Sequence, residues 1–272
     1  MIMQSKSNRT IQILLAIGLT AGVLGGLLGI GGGAFIVPAL VFFLAFDQHK
    51  AHGTSLAVVL VLSLSSVITY SLHQRVDLLL SAEIAFGGVI GALIGGTIVQ
   101  KIKNKALRRM FSFFLVAAGI KMALDGLAMI NGLCPAEHAG GYVTSGLVLG
   151  SLLLALGAGL LTGFLSAILG VGGGIVMVPM LTMFLHLPQT QAQGVSLAAM
   201  MPIAFTGALK HHKLGNVEFR VARWIAAGAV VGAIAGSTAA NTLNPGHLKL
   251  AFGAFLIIMA GLMAAKRKGR PV

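Results

Sequence analysis

The chain has 272 residues, of which 57% are hydrophobic and 9% charged, with a formal net charge of +13. Soluble domains carry about 25% charged residues, so this composition excludes a soluble globular protein and points to an integral membrane protein with several spans. The basic residues lie between apolar runs, where they read as loop charges on one membrane face rather than as a nucleic-acid footprint. A single cysteine, Cys134, excludes an internal disulfide and a cysteine-based metal cluster.

A polar tail, residues 1–10, precedes the first apolar segment at about 11–29. Tail and segment together resemble a secretory leader, but no small-residue cleavage site ends the run. The stretch GIGGGAFIVP, Gly29 to Pro38, interrupts the apolar region and leads into a short segment at 34–46. Segments at 53–72 (opening on GTSLA), 78–100 and 107–130 follow. After a linker at 131–141 the order repeats: 142–170, then GVGGGIVMVP from Gly170 to Pro179, then 175–187, 194–209 (opening on GVSLA), 219–243 and 248–265, with a basic tail at 266–272. The two halves align without a gap at an offset of 141 residues, pairing Pro38 with Pro179, Gly53 with Gly194, Asp77 with Glu218 and Phe111 with Phe252. The chain is a duplication, and the first segment has a mid-chain counterpart, so it reads as structural.

Open strands cannot cross hydrocarbon, and the segments lack the alternation of a barrel strand. The expected fold is therefore all-α and membrane-embedded, with two repeats of about five helical segments: 11–130 and 142–265. Five is odd, so the second repeat should enter the membrane inverted. The charges fit this. Lys6 and Arg9, the group from Lys101 to Arg109, the group from Lys210 to Arg223, and the tail from Lys266 to Arg270 all fall on one side. The positive-inside rule makes that side cytoplasmic and puts both termini there, with the linker 131–141 outside.

The segments at 34–46 and 175–187 span about 13 residues, or roughly 20 Å of helix, against about 20 residues for a crossing. Each either crosses as a broken helix or folds back as a hairpin with the glycines at its tip. Irregular backbone at membrane depth is tolerated only where it is buried in protein or lines a cavity. The helix after each turn presents N–H groups without intrahelical partners, an arrangement that attracts anions. Two inverted repeats would bring two such ends together, the usual pointer to a transporter site. Gly31, Gly32 and Gly33 with Gly172, Gly173 and Gly174 are the candidate anion-binding residues. Close packing is the competing reading, and it is preferred for Gly87, Gly91 and Gly95 and for Gly228, Gly232 and Gly236.

The duplicated GxGGGxxxxP motif, followed by GTSLA or GVSLA, a Val–acid turn and a glycine-rich helix, resembles the TauE/SafE sulfite-exporter family of membrane permeases. The resemblance covers nearly the whole chain. It implies transport of a small anion (sulfite, a sulfonate or a related organic sulfur acid) across the inner membrane.

Other polar residues carry two readings each. Thr54, Ser55 and Ser196 open the third segments, where they either bind an oxyanion or cap a helix. Gln48 and Gln189 read as loop residues, as do His52 and the pair His211–His212, although His52 is also a candidate proton carrier. Asp77 and Glu218 read as helix caps. Lys121 and Asp125, four apart on one apolar helix, serve either coupling or anchoring at the interface. No Walker motif, catalytic triad or metal cluster stands out, so the expected protein is not an enzyme and uses no cofactor or metal. A secondary transporter is the leading function and a passive anion channel the alternative. The expected partners are the small anion and the bilayer, with no nucleic acid; whether the chain forms a homo-oligomer is open.

Overall fold

The computed structural model describes residues 2–98, 104–133, 148–169 and 173–264. Among these, every regular element is a helix: α1 Ile2–Leu28, α2 Gly33–Leu44, α3 Gln48–Leu72, α4 Leu78–Ile98, α5 Asn104–Ile130, α6 Val148–Leu169, α7 Gly174–Phe184, α8 Gln189–Lys213, α9 Phe219–Thr242 and α10 Pro245–Ala264. Among the described residues, six stretches are long and apolar enough to cross a bilayer: Thr10–Leu28, Gln48–Leu72, Ser112–Ile130, Gln189–Lys213, Phe219–Thr242 and Pro245–Leu262. Large apolar side chains also face outward, with Phe42 71% and Phe43 70% exposed on α2. In water such a surface would aggregate; in lipid it is the expected face.

Two compact units are present. One comprises residues 1–97 and 141–242, and the other 98–140 and 243–272. In the first, α1 and α9 lie side by side and run parallel, because Gly18, Gly22 and Gly26 abut the carbonyls of Ile225, Ala229 and Ala233 in turn. Gly228, Gly232 and Gly236 reciprocate against the carbonyls of Leu15, Leu19 and Val23. Small residues four apart are what lets helix backbones approach this closely without a hydrophobic driving force. α4 and α6 pack the same way, with Gly87 and Gly91 on the carbonyls of Leu156 and Leu160 and Gly159 on that of Ile84. α3 and α8 are antiparallel: Tyr70 meets Gln193 near one end and Gly53 meets His211 near the other. In the second unit α5 and α10 are antiparallel, with Gly119 against Gly253 and Gly126 against Gly246.

Contacts in the first unit recur at an offset of 141 residues. Gly53 sits on the carbonyl of Asn216, and Gly194 on that of Arg75; Gly18 sits on Ile225, and Gly159 on Ile84.

Three expectations are corrected. α3 and α8 begin five residues before the GTSLA and GVSLA motifs, so Gln48, His52 and Gln189 are helical rather than in loops. The cause is local: Asp47 caps α3 by accepting the Lys50 N–H at 2.9 Å, and the Pro188 carbonyl takes the Ala192 N–H at 2.9 Å to start α8. Thr54, Ser55 and Ser196 therefore lie in second turns and cannot cap their own helices. His211 and His212 belong to the last turn of α8. Asp77 caps α4 as expected, accepting the Leu80 N–H at 3.0 Å. Glu218 precedes α9 and directs its carboxylate to Lys50 Nζ at 3.0 Å.

Candidate functional site

The first glycine turn reverses the chain. Gly29, Gly31 and Gly32 have φ of 71°, 71° and 69°, a conformation that disfavours any residue with a Cβ. The reversal lays Gly32 against Ala21 and Gly25 of α1. α2 then starts at Gly33 with no side-chain cap, and Phe35 and Ile36 donate to the Gly32 carbonyl at 3.0 Å each. The 12 residues of α2 give about 18 Å of helix, well short of a hydrocarbon core about 30 Å thick. α2 also carries Pro38 in its interior, where the missing N–H leaves the Ala34 carbonyl without its usual intrahelical donor.

The second turn is alike in role and different in conformation. α7 starts at Gly174 after Gly173, again without a side-chain cap, but Gly173 has φ −65°. Val176 and Met177 donate to its carbonyl at 3.1 and 2.9 Å. Gly172 lies outside the described residues.

The two turns touch. A Cβ on Gly174 would fall 2.5 Å from Ile30 Cα and 2.8 Å from the Gly29 carbonyl oxygen, so only glycine permits this approach. Gly29 and Ile30 make the contact; Gly31 and Gly32 turn instead toward Met200 on α8 and Leu62 on α3. Gly29 through Gly33, Gly173 and Gly174 are all buried.

α3 and α8 supply the polar groups around this junction. Ser196 Oγ donates to the Gly29 carbonyl at 3.1 Å. Gln193 packs its Cβ and Cγ directly on Gly29. Tyr70 Oη lies 2.8 Å from the Gly26 carbonyl and 3.0 Å from Gln193 Oε1, so one hydroxyl proton faces two acceptors. Gln193 Nε2, fully buried, has no hydrogen-bond partner, and neither do the buried hydroxyls of Ser63 and Ser66 on α3. Buried polar atoms are almost always paired, so such exceptions need a reason.

The remaining candidates lie elsewhere. Thr54 Oγ1 accepts the Glu218 N–H at 3.1 Å and so holds the start of α9. Ser55 is buried in α3, and His52 is half-buried one turn into the same helix. Lys121 and Asp125, in the other unit, pair at 2.7 Å with side chains 51% and 41% exposed. Exposed pairs are worth about 0–1 kcal/mol. Asp125→Asn should therefore leave transport within about twofold of wild type, measured as initial flux per reconstituted protein; abolished flux at normal expression would give the pair a coupling role.

Tyr70 and Gln193 escaped notice in the sequence, yet a signal was there. Ser63, Ser66 and Tyr70 on α3, and Gln189, Gln193 and Ser196 on α8, recur at spacings of three and four, so each set lines one helix face.

A family model described as Sulfite exporter TauE/SafE matches residues 2–122 and 155–272. The chain belongs to the TauE/SafE family. Similar proteins include the probable membrane transporter protein YunE of Bacillus subtilis, 28% identical over 81% of this chain and 85% of its own. A probable membrane transporter protein of Methanocaldococcus jannaschii is 27% identical over 93% and 95%, and one of Xylella fastidiosa strain Temecula1 is 29% identical over 92% and 95%. No solved structure matches. With six candidate spans among its described residues, this TauE/SafE protein is a multi-pass membrane transporter, and the glycine junction of α1–α2 and α7 is its candidate site.

Proposed function

We propose that the protein is a secondary transporter for a small anion, namely sulfite, a sulfonate or a related organic sulfur acid, and that the anion binds at the glycine junction. The observation that carries this reading is the contact of Gly174 with Gly29 and Ile30. It sets the start of α7 against the turn that leads into α2, and both helices start without a side-chain cap, so each offers first-turn N–H groups and a positive dipole end. Gly31 to Gly33, Gly173 and Gly174 supply the backbone, and Ser196 borders it from α8. The carboxylates of Asp47, Asp77 and Glu218 are engaged at helix starts, by the Lys50 N–H, the Leu80 N–H and Lys50 Nζ respectively. The family's description as a sulfite exporter favours sulfur oxyanions within this class.

Two inverted repeats give the site its alternating access. The contacts that recur at an offset of 141 residues support them, as do the helix directions. Parallel α1 and α9, parallel α4 and α6, antiparallel α3 and α8, and antiparallel α5 and α10 are what a chain of ten alternating segments requires, and the basic clusters are what put its N-terminus inside. Both termini then face the cytoplasm, and reporter fusions at Val272 and near Glu137 should read inside and outside respectively. The same side for both would overturn the inverted arrangement. The central test is flux in proteoliposomes across a panel of sulfite, sulfate, sulfoacetate and related acids. Saturable, gradient-coupled flux of at least one sulfur anion is expected; large unitary currents would make the protein a channel, and no flux of any panel member would overturn the substrate class.

A further inference from the structure

The apolar stretches of α1 and α9 begin together, at Thr10 and Phe219, and the two helices run parallel from there. Between these ends lies a cleft of about 450 Å³. Ile11, Leu14, Val221 and Trp224 form its apolar wall, and Arg220 and Arg223 its polar edge. Leu14 is buried at 3% exposure, whereas both arginines are exposed and join neither ion pair found among the described residues. The Arg223 guanidinium sits 5.3 Å from the centre of the Trp224 ring, within the range of a cation–π contact. A tryptophan at the start of a membrane-crossing helix belongs at headgroup depth, with its ring in the interfacial layer.

We propose that this cleft binds an anionic phospholipid, with the phosphate on Arg220 and Arg223 and an acyl chain along Ile11 and Val221. The charge and the wall make complementary demands. Two guanidinium groups without carboxylate partners favour a phosphate, which arginine takes bidentately. The apolar wall, opening at the depth where acyl chains begin, favours a ligand that carries hydrocarbon beside its phosphate. A soluble anion would leave that wall wet, and a zwitterionic lipid would bring its own cation against the arginines. Basic pockets between membrane helices are a recurrent mode of headgroup capture. The bound lipid would bridge α1 and α9. The inference is independent of the transport reading, since none of these residues belongs to the glycine junction.

Trp224 is the chain's single tryptophan, so its fluorescence reports on the cleft alone. The full-length protein is reconstituted in phosphatidylcholine vesicles in which about one lipid in ten is either dibrominated phosphatidylglycerol or dibrominated phosphatidylcholine. Bromine quenches tryptophan at contact. The phosphatidylglycerol form should quench about threefold or more strongly, as enrichment by two arginines at the membrane surface implies. The double substitution Arg220→Gln and Arg223→Gln should abolish the preference. Equal quenching by the two lipids in wild-type protein overturns the proposal without recourse to any variant. A preference that survives the substitutions overturns it in favour of general attraction to a basic surface. Loss of the preference on adding inorganic phosphate, but not sodium chloride of equal ionic strength, assigns the cleft to a soluble phosphate and also overturns it.

Discussion

Gly174→Ala should remove most transport while leaving the protein inserted and purifiable. The added carbon would lie 2.5 Å from Ile30 Cα and 2.8 Å from the Gly29 oxygen, against about 3.5–4.0 Å for a relaxed contact. Both atoms are backbone, so no side chain can swing aside, and the two glycine turns must part by roughly 1 Å. Overpacking of this kind costs about 1–3 kcal/mol, and replacing a helical glycine by alanine returns roughly 0.5–1 kcal/mol of that. The net destabilisation is small for a bundle of ten helices. The functional effect should be large, because displacing a positioned group by about 1 Å can cost two orders of magnitude in rate. Initial flux in proteoliposomes should fall about tenfold or more, with a melting temperature lowered by only a few degrees. Gly157→Ala on α6 is the control: its Cβ would meet nothing within 4 Å, and its flux should match wild type. Wild-type flux from Gly174→Ala would show that the close approach of the turns has no part in transport.

The helical segments were legible in the sequence because the gaps between them are polar, glycine-rich or proline-bearing, and the spans themselves are not. The starts of α3 and α8 were not, because the residues that set them, Asp47 and Pro188, precede the conspicuous GTSLA and GVSLA motifs by several positions. The duplicated glycine motif pointed to a meeting of Gly31, Gly32 and Gly33 with Gly172, Gly173 and Gly174; among the described residues Gly174 touches Gly29 and Ile30 instead, and Gly31 and Gly32 face Met200 and Leu62. The motif did not predict that its copies would differ, with Gly32 at φ 69° and Gly173 at φ −65°. Identical residue types at matching positions can take different backbone conformations when their neighbours differ. Partners far apart in the chain were the least legible. Nothing in the spacing links Thr54 to Glu218, or Tyr70 to Gln193 across 123 residues. A stripe of polar residues shows which face of a helix is special without showing what it meets.

Gln193→Leu should cut transport sharply without weakening the fold, a combination that separates a ligand-binding side chain from a structural one. Leucine keeps the Cβ and Cγ atoms that pack on Gly29 and has nearly the same volume as glutamine. It removes Oε1, whose one partner is the Tyr70 hydroxyl at 3.0 Å, and that hydroxyl still has the Gly26 carbonyl at 2.8 Å. It also removes Nε2, a buried donor without a partner. An unsatisfied buried polar group costs about 1–3 kcal/mol, so the leucine variant should melt at or above the wild-type temperature. Tyr70→Phe gives the contrast: its single hydroxyl proton serves either Gly26 O or Gln193 Oε1, so its loss leaves one buried acceptor without a donor and should lower stability by about 1–3 kcal/mol. A buried donor kept unpaired beside the glycine junction has a use if the transported anion accepts its hydrogen bond. Bonds to a charged partner contribute about 1.5–3 kcal/mol, so flux at subsaturating substrate should fall about tenfold or more in Gln193→Leu. Gln193→Glu, which sets a carboxylate against the anion, should fall further. If the leucine variant is more stable and transports normally, Gln193 takes no part in binding. If it transports poorly and also melts early, its role is structural, and the anion must find its donors among the backbone N–H groups of the two turns alone.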